Sequence, residues 1–207
     1  LDIFNLFNLD YDHLSYQSSN EDKHKSYLQK LIDMGLAFKE KDGPYRFKVD
    51  RTNKYFQFQD LILGKVKIPS DNIEDFSIAR SDGSPTFILS NIIDDYLEGI
   101  THVIRGNDHS INTIKQQLIL NSLNIPNIKY AHIPLIHDMQ GKKLSKRDNI
   151  TNVKDYIKQG YLTKSIFNFI IKLGNNFNDQ EYLDSSSAID NFELNKTVLS
   201  PAKFDLE

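Results

Sequence analysis

The chain has 207 residues and a mass of 24.0 kDa, 39% of them hydrophobic and 26% charged, with a formal net charge of −3. That length fits one large or two modest domains, and no apolar run approaches the roughly 20 residues of a membrane-spanning helix, so a soluble, cytoplasmic protein with no membrane partner is expected. The absence of cysteine excludes disulfides and thiolate zinc sites, and the six histidines form no helical pair at metal-ligand spacing, so no metal site is expected.

The start, LDIFNLFNLD, carries neither a basic region before its apolar residues nor an initiator methionine, and it reads as a chain cut from something longer. Charge is segregated further along. Lys and Arg against Asp and Glu number 11 to 7 over residues 20–70, 1 to 7 over 71–100 and 7 to 2 over 141–165. Two basic regions flanking an acidic one suit either a polyanion contacted through two patches or solvated faces with no partner.

Residues 22–34, DKHKSYLQKLIDM, set Tyr27, Leu28, Leu31, Ile32 and Met34 on one helical face, with Gly35 as a stop signal. From 44 to 69, PYRFKVD, YFQFQDLILG and KVKIP alternate apolar and polar residues between Gly43, Gly64 and Pro69, which predicts short antiparallel strands. Residues 20–85 therefore read as a small basic α+β insertion. SDGSPT then predicts a turn, TFILS a buried strand and NIIDDYLEG a helix with Ile92, Ile93, Tyr96, Leu97 and Ile100 at helical spacing. ITHVIRG predicts a second strand. DHSINTIKQQLILNSLN predicts a helix capped by Asp108 or Ser110, with Ile111, Ile114 and Leu118 inward and Asn124 and Pro126 ending it; IKYAHIPLI predicts a third strand. Strand and helix alternating at this pitch point to βαβ units and a parallel sheet, whose ligands bind at the carboxyl ends of the strands. NIIDD, RGNDH and HDMQGKKLSKR would follow the three strand ends.

In RGNDH, Arg105 at the end of a strand is a bidentate donor for a carboxylate or phosphate, or a structural arginine paired with Asp94 or Asp95. Asp108 is a helix cap or a contact to a ligand hydroxyl, and His102 and His109 are more economically packing or surface residues than catalysts. The segment GKKLSKRDN, 141–149, gathers Lys142, Lys143, Lys146 and Arg147 around Ser145. Like charges at this spacing repel unless an anion is shared among them, and a polyphosphate would satisfy them. Neither a Walker-type nor a GxGxxG phosphate loop occurs.

The block 81–147 closely resembles the second half of the catalytic domain of bacterial-type glutamyl-tRNA synthetases, and KLSKR is similar to their version of the class I signature loop KMSKS. YQSS at 16–19, DLILG at 60–64, GYLTKSIFNFIIKLG at 160–174 and FDLE at 204–207 extend the resemblance to nearly the whole chain. It implies an α/β fold: the second half of a class I Rossmann-type parallel sheet, with an α+β acceptor-stem insertion and a helical stem-contact region. The implied boundaries are 1–19 for the end of the first half of the nucleotide-binding fold, 20–85 for the insertion, 86–142 for the second half and 143–207 for the signature loop and stem contacts.

The resemblance implies activation of L-glutamate by ATP, with magnesium, to glutamyl-adenylate and transfer to the 3′ end of tRNA(Glu), by a monomer. Lys143 and Lys146 would be catalytic, and Asp108, Ile136, Lys143, Leu144, Ser145, Lys146 and Arg147 would bind ATP. Arg105, Asn91 and Phe87 would bind glutamate. Losing the Lys146 contact should cost roughly 3–4 kcal/mol of transition-state stabilisation, by analogy with an oxyanion-hole donor.

The chain departs from the family at several points. Phe87 stands where tyrosine is usual and Asn107 where an acidic residue is common. Only KEKD separates GLAF from GPYRFKV, where relatives carry a longer segment, sometimes with zinc-binding cysteines, so no zinc is expected. The HIGH-type histidines, the arginine that helps select glutamate and an anticodon-binding domain do not occur in these residues, so residues 1–207 alone are expected to be inactive. A non-catalytic acceptor-stem-binding module and a glutamyl transferase acting on a tRNA base are the alternatives.

Overall fold

The computed structural model describes residues 3–144, 152–178 and 180–204. In chain order the elements are α1 (Ile3–Phe7), α2 (Glu21–Asp33), β1 (Ala37–Lys39), β2 (Tyr45–Phe47), β3 (Tyr55–Asp60), β4 (Gly64–Pro69), β5 (Phe76–Ala79), α3 (Phe87–Leu97) and β6 (His102–Gly106). They continue with α4 (Ser110–Ser122), β7 (Lys129–Ile133), β8 (Ile136–His137), α5 (Val153–Lys158), α6 (Thr163–Gly174), α7 (Ser185–Asn191) and β9 (Ala202–Lys203). Two compact units result, one of residues 14–131 and one of residues 1–13 with 132–207.

In the 14–131 unit, α2 forms where its periodicity predicts and buries His24, Leu28 and Leu31, while Met34, expected on the same face, is exposed. Gly35 adopts a positive φ of 70°, which lets the Leu36 N–H reach back to the Leu31 carbonyl at 2.9 Å and close the helix end. Asn124, at φ 55°, closes α4 in the same way through Ile125 N–H and the Leu120 carbonyl. The predicted strands of 44–69 also form. β2 joins β1 and β5 in an antiparallel sheet, and β3 and β4 pair from Tyr55↔Pro69 to Asp60↔Gly64. Their turn is held by buried Asp60, whose Oδ1 accepts from Ile62 N–H at 2.9 Å and Leu63 N–H at 2.8 Å, with Gly64 at φ 72°. A second sheet runs β4-β3-β7-β6, with β3 parallel to β7 through Asp60↔Tyr130, so it joins strands from 55–69 to strands on either side of α4.

TFILS is not a strand. α3 begins at Phe87, the Thr86 carbonyl accepts from both Leu89 and Ser90 N–H, and Leu89, Ser90, Ile92 and Ile93 are buried in a helical repeat. A short apolar run reads equally as strand or helix, and here the burial continues at spacings of three and four into NIIDD. NIIDD thus lies within a helix rather than after a strand. α4 starts at Ser110 after a 3₁₀ turn at Asn107–His109, so the cap position falls at His109 rather than at Asp108 or Ser110. Its inward residues are Thr113, Ile114, Gln116, Ile119 and Leu120, whereas Ile111 is exposed. The third predicted strand breaks into β7 and β8 around Pro134, which has no N–H to donate.

In the other unit, β8 and β9 pair in parallel, and Phe7, Tyr156 and Ile166 form one small cluster and Phe177, Leu183 and Ala188 another. Among the described residues, no helix is long and apolar enough to cross a membrane.

Candidate functional site

β6 delivers Arg105 to the end of its strand, and the guanidinium is received by α4. Its Nη2 donates to Thr113 Oγ1 at 2.6 Å, to Gln116 Oε1 at 2.8 Å and, at 3.4 Å, to the His109 carbonyl. Thr113 and Gln116 are fully buried, and the guanidinium lies 5.0 Å from the Tyr130 ring centroid, within cation–π range. The amide of Gln116 continues the chain, its Nε2 donating to Asn91 Oδ1 at 2.7 Å. One helical turn before Asn91 stands Phe87, 55% exposed, with its ring 6.4 Å from that of His109. The three residues expected to bind glutamate are therefore gathered at one place, by contacts through Gln116 and His109.

Of the two carboxylates considered as structural partners for Arg105, Asp95 is the one whose charge acts on it. Burial pushes Asp95 up to about 6, with Arg105 opposing the rise and Asp94 adding to it. Burial also lowers the pKa of Arg105, against the pull of Tyr130 and Asp95, and raises the Tyr130 hydroxyl to about 12. Asp94 instead meets the buried His24 at 2.7 Å and accepts from Asn20 at 2.9 Å. Asp108 is exposed in the turn that follows β6.

In the other unit, the start of the basic loop is a tight hairpin. Asp138 N–H donates to the Lys142 carbonyl and Lys142 N–H to Asp138 Oδ1, both at 2.8 Å, around Gly141 at φ 82°. Lys143 bridges His137, and Leu144 N–H donates to the Ile136 carbonyl at 2.9 Å, so Ile136, Lys143 and Leu144 are neighbours. Ser145, Lys146 and Arg147 lie outside the described residues. A cavity of about 380 Å³ in this unit, lined by Leu6, Phe7, Thr163, Phe167, Tyr182 and Asp184 among others, holds none of the predicted residues.

The basic count of residues 20–70 includes two structural arginines. Arg46 donates to Glu40 at 2.6 Å and to the Asp75 carbonyl, and Arg51 to Asp75 Oδ1 at 2.9 Å and the Ile73 carbonyl. Lys65 and Lys67, by contrast, are exposed on alternate positions of β4, opposite Gln59 and Gln57.

Thr113, Gln116 and Tyr130 were not singled out from the sequence, whereas Asp95 was, as a possible partner of Arg105. Thr113 and Gln116 did leave a signal, as polar residues three apart on the inward stripe that continues to Leu120. A group buried at such a position needs a polar partner, and Arg105 is that partner.

A model of the tRNA synthetases class I (E and Q), catalytic domain, matches residues 39–207. The chain belongs to this class I synthetase family. It is 43% identical over 199 residues to glutamate–tRNA ligase 2 of Neorickettsia sennetsu, covering 96% of this chain and 48% of that protein. With glutamate–tRNA ligase 1 of Helicobacter hepaticus it shares 35% over 242 residues, 99% of this chain and 52% of the relative. The chain thus spans about half the length of these relatives. Among solved structures, the glutamate–tRNA synthetase of Elizabethkingia anophelis superposes with a TM-score of 0.69 at 27% identity, covering 98% of this chain and 45% of that one. A glutamate tRNA ligase from Elizabethkingia meningosepticum, solved in complex with its amino acid, matches equally well at 0.69 and 27%. The α/β architecture with parallel strands expected of a class I synthetase is the one observed.

Proposed function

We infer that this chain carries the amino-acid pocket and the start of the ATP signature loop of a glutamate–tRNA ligase. The observation that carries the reading is Arg105 at the end of β6, fixed from behind by Thr113 and Gln116 and linked through Gln116 to Asn91. A guanidinium held in one orientation suits bidentate recognition of a carboxylate, and catalysis by positioning gains most from such a fixed donor.

In the first step a carboxylate oxygen of glutamate attacks the α-phosphorus of ATP, which travels with magnesium, and pyrophosphate leaves. In the second a hydroxyl of the terminal adenosine of tRNA(Glu) attacks the acyl carbon and AMP leaves, with no covalent enzyme intermediate. Asn91 and Phe87 complete the amino-acid pocket. Asp108 contacts the ribose and the Ile136 backbone the adenine, while Lys143, Leu144, Ser145, Lys146 and Arg147 form the loop along the phosphates. Lys143 and Lys146 stabilise charge as it shifts toward pyrophosphate. Residues 20–85 take the acceptor stem, with Lys65 and Lys67 exposed toward a polyanion, and 143–207 supply further stem contacts. A cytoplasmic monomer fits this role.

The test is charging. Incubated with ATP, labelled glutamate and tRNA(Glu), the protein carrying this chain is expected to place label on the 3′-terminal adenosine, released as free glutamate by mild alkali. Label on an internal base would favour the transferase, and RNA binding without ATP-dependent label the binding module. Either contradicts the proposal.

A further inference from the structure

Resting on that reading, hydrogen-bond polarity is relayed through three side chains. A guanidinium donates hydrogen bonds and accepts none. Arg105 Nη2 therefore requires an acceptor from Gln116, and Oε1 supplies it at 2.8 Å. The amide is then committed: its other end, Nε2, is a donor, and at 2.7 Å from Asn91 it requires Asn91 to turn Oδ1 inward. Nδ2 of Asn91 is left at the opposite corner of its amide, as a donor. Reversing Gln116 would set its NH₂ against the guanidinium, and reversing Asn91 would set NH₂ against NH₂. Gln116 is fully buried, so no water relieves either clash, and Thr113 Oγ1 holds the same Nη2 at 2.6 Å.

We propose that Gln116 is a positioning residue that transmits the donor character of Arg105 to Asn91, so that Asn91 meets a carboxylate oxygen of the amino-acid substrate with an N–H and never with its carbonyl. The pocket then presents donors from two elements, β6 and α3, set by one residue of α4 that touches no substrate. An anionic substrate is favoured by this arrangement, and one with a donor at the same place is rejected.

Two substitutions test it in glutamate-dependent ATP–pyrophosphate exchange by the protein carrying this chain, with tRNA present. Gln116→Glu keeps an acceptor for Arg105 but has no N–H for Asn91, which turns over and offers its carbonyl to the substrate. The expected result is a KM for glutamate raised roughly 10- to 100-fold with kcat within about 3-fold of wild type. Asn91→Asp keeps the acceptor toward Gln116 and replaces the outward N–H with an anionic acceptor, and it should raise KM at least as much. In an Asn91→Ala background, Gln116→Glu should change KM less than about 3-fold, because there is no amide left to turn.

Unchanged KM in Asn91→Asp, or an equal effect of Gln116→Glu in the Asn91→Ala background, overturns the proposal and leaves Gln116 a packing residue. Both judgements require a wild type whose exchange depends on glutamate. Exchange without that dependence overturns the functional reading and this proposal together.

Discussion

Residues 14–131 and the unit made by 1–13 with 132–207 solve different physical problems. The first holds one core, nineteen buried apolar residues among those described, and encloses the polar chain from Arg105 through Gln116 to Asn91. The second holds two small clusters, each with three buried apolar residues among those described, and two-residue strands. Recognition by directional hydrogen bonds needs partners fixed to within a fraction of an ångström, so it belongs where local opening is expensive. On the proposed function, charge acting on a triphosphate is less demanding of angle, and a loop that begins at a short hairpin suffices for it.

The largest effect that would sharpen this contrast is Lys146→Ala, expected to lower the rate of pyrophosphate exchange by about 10²–10³-fold while leaving urea unfolding unchanged. An equal loss of stability would show that the loop does structural work instead. Leu89→Ala, at a fully buried position of the large core, is expected to remove about 3–4 kcal/mol of unfolding free energy. Ile166→Ala in the smaller cluster should remove less, about 2 kcal/mol, because its neighbours can collapse into the space; equal losses by urea denaturation would break the comparison.

A pH dependence follows from Asp95. Its folded pKa, about 6, lies above the ordinary 3.8, so the folded state binds a proton that the unfolded state has released between those values. The associated stability is present below about pH 4 and is lost as pH rises through 6. Asp95→Asn should therefore gain on wild type between pH 5 and 7.5, by about 1 kcal/mol once screening of a half-buried carboxylate is allowed for. A stability difference independent of pH would show that the carboxylate is solvated. The smallest effect is expected at α5, where Asn152 caps the helix by accepting from Lys154 N–H at 3.0 Å. Asn152→Ala should cost about 0.5–1 kcal/mol, measured by thermal unfolding.

Much of the fold was legible because strong periodicity and stop signals agreed. α2 ends at Gly35 and α4 at Asn124, each a residue that tolerates the left-handed conformation its helix end requires. TFILS predicts a strand but forms a helix because three apolar residues carry no period of their own, and only burial of Ile92 and Ile93 behind them selects the helix. Phe87, Asn91 and Arg105, named through a family resemblance, are found together, while their role in binding stands as the proposal above. The residues that hold them were not legible, because a threonine and a glutamine on an inward stripe acquire meaning only once β6 brings a guanidinium beside them. Charge counting overstated the basic face for a similar reason, since Arg46 and Arg51 are used on nearby carboxylates and carbonyls.

The most direct measurement is glutamate-dependent exchange of pyrophosphate into ATP by the protein carrying this chain, wild type beside Arg105→Lys, with tRNA present. A lysine keeps the charge and loses the fork that meets a carboxylate with two hydrogen bonds. Wild-type exchange should depend on glutamate, and kcat/KM for glutamate should fall roughly 100-fold in the variant, about 2.7 kcal/mol. Exchange that ignores glutamate, or a variant indistinguishable from wild type, would contradict the assignment of this pocket.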